Sequence, residues 1–192
     1  YRCLDKPQGC LAAWSQIITG DENLHKEKLN DYRGFGIKGE WIKIFFVDPE
    51  NFKSSERLVE YIIPIFSLWI KHGGLLDKKN SPVKFVEKFI SLGADNLKLW
   101  GYIFVNLAYN SNLVNLFVKS CDFTEPHDNN FLMAMFKRNY SDTTKKNALK
   151  ALKSALRYSP IGEKLGQGIC EVKGNAVTSI TRTAWQNPEP LV

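Results

Sequence analysis

The sequence predicts a mainly α-helical protein, an irregular antiparallel helical bundle, and three observations carry that expectation. Between residues 54 and 158, apolar side chains recur every three or four positions, the period of a helix buried along one stripe. Serine, aspartate, proline and glycine punctuate these stretches and leave short connections, which suit antiparallel neighbours. Only two regions carry strand chemistry, a short one near 41–47 and a C-terminal one near 169–182.

Taken in order, residues 9–30 place Leu11, Trp14, Ile17 and Ile18 at helical spacing, and Thr19-Gly20 separates that helix from a second one capped by Asp21. Gly34, Gly36 and Gly39 interrupt regular structure. No strand precedes this Gly-x-Gly and no Gly-Lys-Ser/Thr follows it, so it lacks the context of a phosphate loop. Trp41-Ile42-Lys43-Ile44-Phe45-Phe46-Val47 is rich in β-branched and aromatic residues, which predicts a strand or an extended packing segment. Asp48-Pro49 should end it, because a residue before proline is pushed out of helical geometry.

A helix is expected from Ser54 to about His72, with Leu58, Tyr61, Ile62, Ile65, Leu68 and Trp69 inward, a kink at Pro64 and a stop at Gly73-Gly74. Ser81 caps the next, with Pro82 first, Val83, Val86, Phe89 and Ile90 buried, and Gly93 closing it. Asp95 caps a helix through Trp100, Phe104 and Leu107. Ser111 caps a shorter one through Leu113, Phe117 and Val118. Thr124 precedes one bearing Phe131, Leu132, Met135 and Phe136. Ser141 or Asp142 opens the last long helix, which runs to about Tyr158. Helix lengths are irregular and no motif recurs, so the chain is not a repeat solenoid. After Ser159-Pro160, Ile169 to Lys173 and Ala176 to Arg182 alternate like strands around Gly174-Asn175, two residues that tolerate positive φ and predict a tight hairpin.

These elements suggest three regions of one unit: 1–53 helical and extended, 54–158 the bundle, and 159–192 the hairpin and tail. The chain starts at Tyr1, and Asn187-Pro188 reads like the opening of a further helix, so a piece of a longer protein is expected.

With 44% apolar and 24% charged residues, the 192-residue chain belongs with folded rather than disordered proteins. Its most apolar runs, 61–70 and 97–109, are interrupted by Pro64 and by Lys98 and Asn106, and fall short of the ~20 residues that span a bilayer. No membrane partner is expected. Cys3, Cys10, Cys121 and Cys170 show no paired framework, which predicts free thiols and a cytoplasmic location.

The net charge of +6 is concentrated. Between residues 137 and 182, ten basic residues face only Asp142, Glu163 and Glu171. Lys146, Lys150, Lys153 and Arg157 follow i, i+4, i+7, i+11 spacing on the last long helix and line one stripe, beside an inward face of Leu149, Leu152 and Leu156. Stacked cations without interleaved acids repel one another, and Lys137, Arg138, Lys145, Lys164 and Arg182 reinforce the surplus. Contact with a phosphate backbone, which releases counterions, accounts for that arrangement. A solubilising lysine face is the plain alternative. The aromatics fall on apolar stripes and read as core rather than as a base-stacking platform.

Other chemistry is sparse. Cys3 and Cys10 lie too far apart for the usual zinc pair, His25, His72 and His127 are scattered, and no cofactor motif is present. No serine sits in a nucleophile elbow, and His127 reads as a first-turn surface residue. Glu171 and Lys173 share one face of the expected strand, as in metal-dependent nucleases that pair a carboxylate on Mg²⁺ with a lysine orienting water; Asp48 is the available second carboxylate.

Several stretches together carry a resemblance: Leu99-Trp100-Gly101, Asn106-Leu107-Ala108-Tyr109, Ser159-Pro160-Ile161-Gly162, Leu165-Gly166-Gln167-Gly168, Ser179 to Trp185, and Pro188 to Val192. Over about the last hundred residues, the chain resembles an uncharacterised bacterial family. That family is associated with phosphoadenosine-phosphosulfate-reductase-like sulfurtransferases of DNA phosphorothioation and defence systems. The resemblance supplies no catalytic residue. It implies a DNA-facing or assembly role beside a modification enzyme.

Three functions therefore compete: a DNA-contacting accessory or assembly module of a DNA modification or defence system, a helical protein–protein interaction module that binds no nucleic acid, and a metal-dependent nuclease using Asp48, Glu171 and Lys173.

Overall fold

In a computed structural model, the described residues are 29, 31–121, 126–136, 139–162, 170–172 and 180–182, with the backbone alone described at 170, 171 and 180–182. They are mainly helical. Seven α-helices occur among them: α1 (Gly39–Val47), α2 (Ile63–His72), α3 (Val86–Leu92), α4 (Leu97–Asn110), α5 (Asn112–Ser120), α6 (Asn129–Ala134) and α7 (Asp142–Tyr158). The expected helices within residues 9–30 lie outside the described residues, as does Thr124.

The stretch expected as a strand near 41–47 is helix α1. Trp41, Ile42 and Phe45 are buried together, a helical i, i+1, i+4 set. A strand would have turned Lys43 to the same face as Trp41 and Phe45. Instead Lys43 pairs with Asp95 on the surface at 2.8 Å, and Val47 is 78% exposed. Packing thus overrides the β-propensity of a short apolar run.

The helix expected over 54–72 is broken. Two 3-10 turns, Phe52–Ser54 and Glu60–Ile62, precede α2, and Tyr61 points to solvent. Pro64 falls in the first turn of α2, where a missing N–H costs nothing, so it begins a helix instead of kinking one. Ser81 and Pro82 likewise precede no helix directly. Asp77 accepts hydrogen bonds from the Lys79 and Ser81 amides, Leu76 bridges to Pro82, and α3 starts only at Val86. Asn96, next to the expected Asp95, caps α4 by accepting from the Lys98 amide. Ser111 caps α5, Asp128 caps α6 and Ser141 caps α7, each through its side-chain oxygen.

One apolar cluster runs from Leu29 through every α-helix to Ile161. Helices α4 and α5 pack closely on each other, α2 packs on α4, and α7 touches α5, α6 and a short strand β1 (Cys170–Val172). Two buried polar side chains are paired with backbone: the Trp100 indole donates to the Ala94 carbonyl at 2.7 Å, and the Asn115 amide donates to the Ala108 carbonyl at 2.8 Å.

Strand β1 pairs antiparallel with β2 (Ile180–Arg182), with Cys170 opposite Arg182 and Val172 opposite Ile180. A two-residue connection at Gly174-Asn175 would place Cys170 opposite Ser179, so the tight hairpin expected over 169–182 is not supported. Residues 173–179, which include that connection, lie outside the described residues. No helix among the described residues is long and apolar enough to cross a membrane.

Candidate nucleic-acid interface

Helix α7 places the cationic stripe. Its buried side consists of Leu149, Leu152 and Leu156, as expected, together with Ala148, Ala151 and Ala155. The opposite edge carries Lys146, Lys150, Lys153 and Arg157 over about 16 Å of helix, at 1.5 Å per residue.

The small Ala151 and Ala155 side chains open a trough that the chain near Gly36 occupies. A β-carbon at Gly36 would lie 2.0 Å from the Ala155 nitrogen and 2.5 Å from the Ala151 carbonyl oxygen. No other residue fits there. Just before it, the chain turns from Tyr32 to Phe35, closed by a 2.8 Å bond from the Phe35 amide to the Tyr32 carbonyl, with positive φ at Arg33 (48°) and Gly34 (82°). Behind this turn, Tyr32 stacks on Trp69 at 3.9 Å and hydrogen-bonds the His72 Nδ1 at 2.7 Å, while the Trp69 indole donates to the Phe35 carbonyl at 2.8 Å. The Gly-x-Gly of the sequence is therefore a helix-crossing device.

Between this segment and α7 lies a cleft of about 430 Å³, lined by Lys38, Lys146, Lys150, Lys153 and Arg157 with Phe35 and Tyr158. None of the described residues lining it is acidic. The Lys150 ammonium lies 6.0 Å from the Phe35 ring centre, and the Lys38 ammonium lies 5.4 Å from both the Trp41 and Tyr158 rings. Such cation–π contacts hold the charges without neutralising them.

The four stripe residues are not equivalent. Lys146 and Lys150 are exposed, whereas Lys153 and Arg157 are half-buried. Lys153 donates to the Asn129 side-chain oxygen at the start of α6. Burial pulls its pKa below the ordinary lysine value, and the Arg157 charge adds to the effect. Sequence spacing found the stripe but not Lys38, Phe35 or Tyr158 beside it. The reinforcing cations divide: Lys145 is half-buried on α7, while Lys137, Arg138 and Lys164 lie outside the described residues, as does the side chain of Arg182.

The other candidates are placed as follows. Asp48 is exposed, and its carboxylate accepts from the Asn51 amide at 3.1 Å and from the Asn51 side chain, a local turn contact. The Glu171 side chain and Lys173 lie outside the described residues. Among the described residues no group of three His, Cys, Asp or Glu side chains is arranged to hold a metal ion. His127, expected on the surface, is 7% exposed and stacks on Phe131 at 4.1 Å. Burial pushes the Cys121 thiol up to about 12, as befits a core residue rather than a nucleophile.

Compared with family models, curated proteins and solved structures, the chain has no significant match.

Proposed function

We propose that the chain is a DNA-contacting accessory or assembly module of a bacterial DNA modification or defence system, and that it engages phosphates through the α7 cleft. The observation that carries this reading is the convergence of five cations on one cleft whose described lining holds no carboxylate. A merely solubilising lysine face spreads its charge into water. Here Lys38 comes from a different part of the chain, two lysines are held over aromatic rings, and Lys153 and Arg157 are kept half-buried. Crowding these like charges and half-burying Lys153 and Arg157 costs free energy that a bound anion returns. The resemblance of the C-terminal half to proteins associated with DNA-phosphorothioation enzymes agrees with a DNA-facing role.

Fluorescence anisotropy with a labelled DNA duplex at several salt concentrations tests it. Phosphate contact requires log affinity to fall linearly with log salt, by about 0.9 per phosphate neutralised, with little dependence on sequence. Absence of binding at low salt overturns the proposal and leaves the protein–protein interaction module.

A further inference from the structure

Resting on that reading, we infer that the α7 cleft takes an unpaired nucleic-acid strand in preference to a duplex, with a base stacked on Tyr158 while the flanking cations hold its phosphates. Three features of the cleft carry this. It is concave, and its volume of about 430 Å³ is on the scale of a nucleotide-sized ligand, within the roughly 300–1,000 Å³ usual for small-molecule pockets. A base can enter such a space only when it is free of its partner strand.

The cations are also bordered by rings. Phe35 lies on the crossing segment and Tyr158 at the C-terminal end of α7, so the stripe of Lys146, Lys150, Lys153 and Arg157 is flanked by aromatic surface. A basic groove combined with aromatic side chains is the pairing that single-strand binders use, because every base has a stacking face. Duplex phosphates need no ring.

Tyr158 is also 42% exposed, although it is a large aromatic residue. The Lys38 ammonium lies over one face of its ring, 5.4 Å from the centre, so a base would stack on the other face, with that cation near enough for its phosphate. The sequence reading assigned the aromatics to the core, whereas Tyr158 is exposed, as are Tyr61, Tyr109 and Phe131 away from the cleft lining.

The test measures anisotropy of a labelled oligothymidylate and of a duplex of the same length at equal salt. The single strand is expected to bind at least about fivefold more tightly, since one stacked base contributes roughly 5- to 150-fold. Tyr158→Ala should lower single-strand affinity by a factor in that range and duplex affinity by less, since the duplex loses only the ring beneath Lys38. Tyr158→Trp, which keeps a stacking ring, should restore it. Circular dichroism of both variants checks that the helix survives. Equal or tighter binding of the duplex overturns this inference and leaves the phosphate-contacting function standing, as does an equal loss for both probes in Tyr158→Ala. Binding of neither probe at low salt overturns both.

Discussion

Gly36 lies so close to Ala155 that a β-carbon there would fall 2.0 Å from the Ala155 backbone nitrogen. That contact joins residues 119 positions apart and creates one wall of the cationic cleft. Neither backbone can yield, because Ala155 is inside α7 and the Gly36 segment is tied to Trp69 and Tyr32.

Gly36→Ala should therefore be severely destabilising, by about 3 kcal/mol or more, the range of backbone overpacking. Gly34→Ala offers the contrast. Its nearest neighbour would be the flexible Lys150 side chain at 3.4 Å, so it should cost only the ~1 kcal/mol of a left-handed φ. Urea denaturation of both variants measures the difference. Equal losses would mean that Gly36 is not a steric constraint.

The anchor beneath the crossing segment gives a second prediction. Tyr32 is 1% exposed, and its hydroxyl and the His72 Nδ1 satisfy each other. Tyr32→Phe keeps the stack on Trp69 but removes that bond, and should cost about 1–3 kcal/mol, the penalty of a buried polar group losing a partner. Trp69→Ala removes the stack and the bond to the Phe35 carbonyl together, and should cost about 3–5 kcal/mol. Thermal melts, with the two losses compared, check the order.

Cys121 gives a pH prediction. Burial raises the thiol from 9.0 to about 12, so the folded chain holds this proton more tightly than the unfolded one. Below pH 9 the thiol is protonated in both states and its contribution to stability is complete. Between pH 9 and 12 the unfolded chain ionises first, and stability should fall by up to about 1.4 kcal/mol per pH unit from this group. Cys121→Ala should flatten the decline, read from denaturation midpoints across that window. Native Cys121 should also react slowly with iodoacetamide.

How much of this was legible in the sequence depends on the range of the interaction. The stripe on α7 was visible because Lys146, Lys150, Lys153 and Arg157 lie within one helix, whose Ser141 cap and leucine face have a clear period. The wall opposite was not, because Gly36, Phe35 and Lys38 meet α7 only in three dimensions. Residues 41–47 were misread because a short apolar run fits strand and helix alike, and only the exposure of Lys43 and Val47 decides. Pro64 and Pro82 were both placed by local rules, yet one opens a helix and the other lies in a loop, a choice made by Leu76 and the Asp77 turn.

Lys153 links stability to binding and gives the last prediction. Its pKa is lowered from the ordinary 10.5, by burial first and by Arg157 second, so the unfolded chain binds this proton more tightly. The charge therefore destabilises the fold at neutral pH, and the penalty disappears above pH 10.5, where lysine is neutral in both states. Lys153→Met should gain stability relative to the wild type as pH falls from that region toward neutrality. Lys150→Gln removes the neighbouring cation at an exposed position. If both ammonium groups contact phosphate, each substitution should nevertheless reduce the slope of log affinity against log salt by about 0.7–0.9. Denaturation at several pH values and anisotropy at several salt concentrations measure the two effects separately. An unchanged salt slope in Lys153→Met, alongside the expected stability trend, would confine Lys153 to its bond with Asn129 and leave the strand to the remaining cations of the cleft.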